Sequence, residues 1–376
     1  MSRRTAVTCA IALALAASAT GQPPSPREKA RRRIAPFSSP PPKLAKDLGG
    51  YRSPLLFDDG SRVGSAADWP RRRKQILANW HEAMGPWPAL LAKPIIETTE
   101  TRRREGFTQR KVDVEIAPGL KTRGYLLVPD GGGPLPAVLV AYYDPETGAG
   151  LKPESKLRDF GYRLTKRGFV TLSIGWPRKE SDRRGGEVQP LSFLAYVAAN
   201  CHTALARLDE VDAARIGVTG HSFGGKWAMF AAALYEKFAA AAVSDSGVVF
   251  DEKRANVNYW ERWYLGAEPG PGPGRKPGIP SKANPRTGAY KKLVDAGRDL
   301  HELHALIAPR PFLVSGGAED RPERWKALNH SLAVNKLLGF DNRVAMTNRR
   351  GHSPTAESNE QLYAFFELFL KHKRGR

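Results

Sequence analysis

The chain has 376 residues, 41% of them hydrophobic and 9% aromatic, a make-up that fits a globular protein with a substantial core and argues against a disordered, fibrous or membrane-spanning one. Lysine and arginine outnumber aspartate and glutamate by 59 to 38, and the resulting formal charge of +21 favours association with anionic partners. No basic recognition helix or Cys/His finger accompanies it, so specific nucleic-acid binding is not expected; a solvated basic surface is the plainer reading beside contact with an acidic polysaccharide.

In chain order, Arg3 and Arg4, the apolar run 6–17 and the small residues Ala17-Ser18-Ala19 read as a secretory signal peptide over 1–19. The run is too short for a transmembrane segment. Cys9 lies within it, which leaves Cys201, in an apolar helical stretch, as a lone buried thiol without an internal disulfide. Residues 20–45, rich in Pro, Ser and Arg, read as a flexible linker. A helix is expected over 67–83, ended by Gly85-Pro86. Alternation at Val112, Val114 and Ile116, a turn at Pro118-Gly119 and the run 125–128 predict a hairpin. The continuous apolar run 136–142 suits a strand buried on both faces.

From there helices alternate with strands. Helices are expected over 157–167, 191–208, 226–235, 299–307, 325–338 and 360–371, and strands over 168–174, 215–219, 239–243, 311–315 and 343–346. That rhythm specifies an α/β architecture, a mostly parallel central sheet with helices on both faces. The Pro- and Gly-rich stretch 248–298 interrupts it and reads as an insertion near the functional site.

The chemistry concentrates at Gly220-His221-Ser222-Phe223-Gly224, which lies between a predicted strand and a predicted helix. Such a turn exposes a serine as a nucleophile, and the helix that follows aims N–H groups at developing negative charge. The general base must come later, and His352, between the last strand and the closing helix, fits. His81, His202, His330 and His372 fall on helices, and His221 adjoins the nucleophile but diverges from it. His301-Glu302-Leu303-His304 lacks the i, i+4 spacing of a zinc helix, with Ala305 at the required position, so neither metal nor cofactor is expected. For the acid, Asp320 past the strand 311–315 is the first choice, with Glu319 behind it and Asp245 after the preceding strand as the alternative. The oxyanion donors are expected to be the backbone N–H groups of Phe223 and Asp144.

With these residues the chain resembles the α/β-hydrolase superfamily over 46–372, and within it the dienelactone hydrolases, acetyl xylan esterases and glucuronoyl esterases. Ser222-Phe223-Gly224-Gly225-Lys226, Asp245-Ser246-Gly247 and Ile307-Ala308-Pro309-Arg310-Pro311 carry the likeness to glucuronoyl esterases. The resemblance implies that Lys226 binds sugar hydroxyls and that Asp245 can supply the acid. One departure is Phe223, which stands where that family has an arginine that helps stabilise the oxyanion. Tyr259-Trp260-Glu261-Arg262-Trp263-Tyr264 opens the insertion, and Trp260 either stacks on a sugar ring or anchors the loop. The function expected is a secreted or periplasmic serine carboxylic-ester hydrolase for a small-molecule or polysaccharide ester, acetyl or uronate. The alternatives are a prolyl-oligopeptidase-like peptidase, which no propeller precedes here, and a non-catalytic carbohydrate-binding homologue.

Overall fold

The computed structural model describes residues 23–184, 187–269 and 275–371. The signal-peptide reading of 1–19 falls outside them. Nine strands form one sheet: β1 (Ile96–Arg104), β2 (Phe107–Ala117), β3 (Leu120–Pro129), β4 (Leu135–Ala141), β5 (Val170–Ile174), β6 (Val211–His221), β7 (Ala240–Ser244), β8 (Phe312–Gly316) and β9 (Val344–Asn348). Their order is β1-β2-β3-β5-β4-β6-β7-β8-β9. β1, β2 and β3 form an antiparallel meander, β3 meets β5 antiparallel, and every pairing from β5 onward is parallel. Leu139 at the centre of β4 lies opposite Leu172 of β5 and Val218 of β6.

The period of two in each strand divides the core between two faces. Ala137, Leu139 and Ala141 of β4 join one layer, packed with the helices Trp69–Met84, Pro190–Leu205, Phe223–Leu234 and His301–Ile307. Val138 and Val140 face the other layer with Phe160, Leu164 and the closing helix Ala356–Leu370. Burial on both faces explains why β4 reads as an unbroken apolar run and why β5, β7 and β8 admit only small polar residues, Thr171, Ser173, Ser244 and Ser315. β1 gives no such signal: it is an exposed edge strand of Glu, Thr and Arg, and only its pairing with β2 makes it a strand.

One expectation is corrected. The stretch 20–45 is not a flexible linker where it is described. Ser25 caps a helix Pro26–Ile34, its hydroxyl accepting from the Glu28 N–H, and Ala30 and Ile34 bury against the closing helix, with Arg33 paired to Glu360 at 3.0 Å. The capping signal Ser25-Pro26-Arg27-Glu28 was present in the sequence, under a composition that resembles a tether. The first part of the insertion 248–298 is built into the core. Val248, Val249, Val257, Tyr259, Trp260, Tyr264 and Leu265 are core residues, and the Tyr259 hydroxyl donates to the Gly247 carbonyl at 2.8 Å. Among the described residues no helix is long and apolar enough to cross a membrane.

Candidate active site

β6 ends at His221, and the helix Phe223–Leu234 starts one residue later, so Ser222 must turn the chain within a single position. It does so at φ 55°, ψ −112°, backbone that a residue with a side chain rarely adopts. The turn is possible because its neighbours have no side chains. A Cβ on Gly224 would stand 1.9 Å from the Ala141 carbonyl oxygen, and one on Gly220 would stand 2.3 Å from the Gly224 carbonyl carbon. The Ser222 N–H donates to the Ser244 carbonyl at 2.8 Å, fixing the turn to the end of β7.

His352 lies in the loop between β9 and the closing helix, with Nε2 2.9 Å from Ser222 Oγ and Nδ1 2.7 Å from Asp245 Oδ2. An ionised carboxylate only accepts, so Nδ1–H donates to Asp245 and Nε2 is free to accept from the Ser222 hydroxyl. Asp245 is wholly buried, and its Oδ1 accepts the N–H groups of Glu319 (3.1 Å) and Asp320 (2.9 Å). It immediately follows β7 at φ 47°, which turns its carboxylate toward the histidine loop.

The first choice of acid is therefore corrected: Asp245, not Asp320, faces His352. Asp320 is directed the other way, its carboxylate accepting from the N–H groups of Gly247 (2.8 Å) and Val248 (2.6 Å). Each aspartate thus satisfies the backbone of the other's loop. Burial first, and then the neighbouring Asp245, push the Asp320 carboxyl up to about 6. Glu319 accepts from the Asn256 amide at 3.1 Å and takes no part in the contact with His352. His221 diverges from the nucleophile, its Nδ1 3.0 Å from the Ser244 carbonyl oxygen. Burial, with the charges of His352, Arg349 and Arg158, holds its basicity well below the ordinary histidine value.

The Phe223 N–H opens the helix beside Ser222 and has no acceptor among the described residues. The Asp144 N–H, the other expected donor, and that of its neighbour Tyr143 also lack acceptors there. Both follow the end of β4, and the Asp144 carboxylate caps the short helix Pro145–Gly148 through the Thr147 N–H at 2.9 Å. The Tyr143 ring lies flat on Phe223, centroids 4.3 Å apart and planes 12° apart.

Lys226 and Trp260, the two expected substrate contacts, are both buried. Lys226 is 2% exposed; its ammonium donates to the Asn256 carbonyl at 3.1 Å and sits over the rings of Tyr259 (5.2 Å) and Tyr264 (5.6 Å). Burial lowers its pKa to about 8, against the pull of Asp320, Glu319 and Asp245. Trp260 is fully buried, with its indole N–H on Glu261 and its ring edge-on to Tyr290. The aromatic residues that do open to solvent are Tyr143, Trp176 and Trp263. With Tyr264, Arg178 and Arg262 they line a cleft of about 570 Å³ that abuts Phe223. Sequence reasoning passed over Tyr143 and Trp176, although both lie just past the ends of parallel strands, where such folds place their sites. Among the described residues no three His, Cys, Asp or Glu side chains are grouped to hold a metal ion. His301 instead contacts the rings of Tyr51 and His330, and His304 is buried.

The mostly parallel sheet and the serine turn between β6 and its helix are those of the α/β-hydrolase fold. Residues 91–258 match the family model described as Esterase FrsA-like. No curated protein matches the chain significantly in sequence. Among solved structures, the chain is similar to a glucuronoyl esterase from Solibacter usitatus, with 20% identity and a TM-score of 0.67 over 86% of this chain and 99% of that one. It is also similar to a family 15 glucuronoyl esterase from Teredinibacter turnerae, with 21% identity and a TM-score of 0.62 over 84% and 88%. A putative acetyl xylan esterase from Bacteroides fragilis shares 16% identity, with a TM-score of 0.54 over 86% and 88%.

Proposed function

We propose that the protein is an exported serine esterase that cleaves a carbohydrate-linked ester through an acyl-enzyme on Ser222. The observation that carries this reading is the unbroken chain from the Ser222 hydroxyl to His352 Nε2 at 2.9 Å and from His352 Nδ1 to Asp245 at 2.7 Å. His352 takes the serine proton as Oγ attacks the ester carbonyl, and Asp245 holds the imidazole in the tautomer that can do so. The Phe223 N–H and one from the Tyr143–Asp144 segment receive the charge on the carbonyl oxygen. The alcohol leaves with the proton from His352, and water activated by the same ring releases the acid and restores Ser222.

Two features support a carbohydrate on the substrate: the neighbouring structures named as glucuronoyl and acetyl xylan esterases, and the cleft beside Phe223, whose aromatic faces and guanidinium groups suit pyranose rings and their hydroxyls. Phe223 in the place of an arginine favours an ester whose oxyanion is held by backbone alone. Export is the reading of residues 1–19. The test compares wild type with Ser222→Ala on p-nitrophenyl acetate and on acetylated, feruloylated and uronate-methyl-ester sugars. Turnover of at least one sugar ester well above p-nitrophenyl acetate in kcat/KM, abolished by Ser222→Ala, is expected. A Ser222→Ala rate above about a hundredth of wild type would overturn the mechanism.

A further inference from the structure

Arg349 directly follows β9, three residues before His352. Its guanidinium is the meeting point of the segments that carry His352 and Asp245 and of the end of β8. Nη2 donates to the His352 carbonyl at 2.6 Å and to Ser244 Oγ at 3.2 Å. Nε donates to the Ser353 carbonyl at 2.8 Å. Nη1 donates to the Ser315 carbonyl at 2.9 Å, with Ser315 Oγ at 3.2 Å and the Gly316 carbonyl at 3.3 Å. Its own N–H donates to Gly316 at 3.0 Å. One rigid fork therefore connects the histidine loop to the ends of β7 and β8.

The positions joined are significant. Ser244 precedes Asp245, and its carbonyl receives the Ser222 N–H, so it is one residue from the acid and in contact with the nucleophile. His352 is in a loop of bends, with no ladder bonds of its own to set the height of its ring. From this we infer that Arg349 is the positioning residue of the proposed triad, holding the His352 backbone so that its ring spans Ser222 and Asp245. A planar guanidinium suits this task because its donors leave three nitrogens in fixed directions, whereas the three donors of a lysine leave a single nitrogen that cannot span this set of acceptors. The proposal rests on the triad reading above, since a residue that positions His352 matters only if His352 is the base.

The test uses Arg349→Met and Arg349→Lys in the full chain, with folding checked by near-ultraviolet circular dichroism and melting temperature. Three readouts follow: kcat and KM on p-nitrophenyl acetate, the rate at which a fluorophosphonate labels Ser222, and rescue of Arg349→Ala by added guanidinium ion. Labelling needs the base but no substrate cleft. The expectation is a fall in kcat and in labelling rate together, by about tenfold to a hundredfold, with KM within about twofold and partial rescue by guanidinium, because a displacement of about 1 Å of a reacting group costs on that order. Arg349→Lys is expected to be impaired nearly as much as Arg349→Met.

Folded variants that label and turn over as fast as wild type would overturn the proposal, as would a rise in KM with kcat unchanged, or a loss matched by the unfolded fraction. If Arg349→Met does not fold, Arg349→Lys and the rescue of Arg349→Ala are read by the same criteria. Failure of the triad reading looks different: the wild type itself would then show no labelling at Ser222, whatever the variants did.

Discussion

Replacing Asp245 with asparagine tests the site at its most informative point. Oδ1 of Asp245 accepts two backbone N–H groups, so the amide oxygen of an asparagine will take that place and its NH₂ will fall where Oδ2 now stands, 2.7 Å from His352 Nδ1. An NH₂ there can only donate, which forces the imidazole proton onto Nε2, opposite the Ser222 hydroxyl it should accept from. The fold keeps both backbone bonds, so the loss falls on catalysis. By comparison with the same substitution in serine proteases, kcat should drop by about 10³ to 10⁴, or about 4 to 5.5 kcal/mol in the barrier. The assay is kcat on p-nitrophenyl acetate, normalised to the concentration of folded protein, for Asp245→Asn and Asp320→Asn side by side. Asp320→Asn should stay within about tenfold of wild type in kcat while losing about 1–3 kcal/mol of stability, because one of the N–H groups of Gly247 and Val248 is left facing an NH₂. A reversed ranking, or an Asp245→Asn enzyme above about a tenth of the wild-type rate, would refute the assignment of the acid.

The buried and the open tryptophan should part company. Trp260→Ala should cost about 3–5 kcal/mol of stability in chemical denaturation and affect all substrates alike, whereas Trp263→Ala should keep the melting temperature and lower kcat/KM on a sugar ester more than on p-nitrophenyl acetate; equal losses for Trp263→Ala would remove the cleft from substrate binding. Asp299, whose carboxyl accepts from Phe250 and Leu300, is pushed up to about 7 by burial. A raised carboxyl means that the folded chain binds this proton more tightly than the unfolded one, so its contribution to stability is present below about pH 4 and is lost as pH rises toward 7. The unfolding free energy of wild type minus that of Asp299→Asn should therefore fall by on the order of 4 kcal/mol between pH 4 and pH 7, and a flat difference in urea titrations across that range would sink it.

Much of this was legible in the sequence because it is local. The parallel strands are buried on both faces and so appear as largely apolar runs, and the serine turn needs glycines at fixed offsets. His352 could be found because a single loop separates the last strand from the closing helix. The acid could not be chosen, because Asp245 and Asp320 both follow strand ends and the decision rests on the positive φ of Asp245 and on which loop supplies N–H groups to which carboxylate. The burial of Lys226 and Trp260 could not be read for a related reason. Their surroundings come from Asn256, Tyr259, Glu261 and Tyr290, residues of an irregular segment whose path no periodicity encodes. The edge strand β1 was missed because exposure on nearly all its length removes the alternation by which strands are recognised.

The exchange of backbone bonds between Asp245 and Asp320 also bears on how such sites change over generations. Creating a catalytic acid normally requires placing a new charge in the interior, which is costly unless hydrogen-bond donors are already waiting for it. Here two carboxylates occupy neighbouring strand ends, both fully buried and both already supplied with donors by the other's loop. A lineage with this arrangement could transfer the acid from one strand to the next by re-aiming a side chain and shifting the histidine loop, without passing through a form that lacks an interior carboxylate. The second aspartate keeps the 247–248 backbone in order now, and it would provide a starting point if the first were lost.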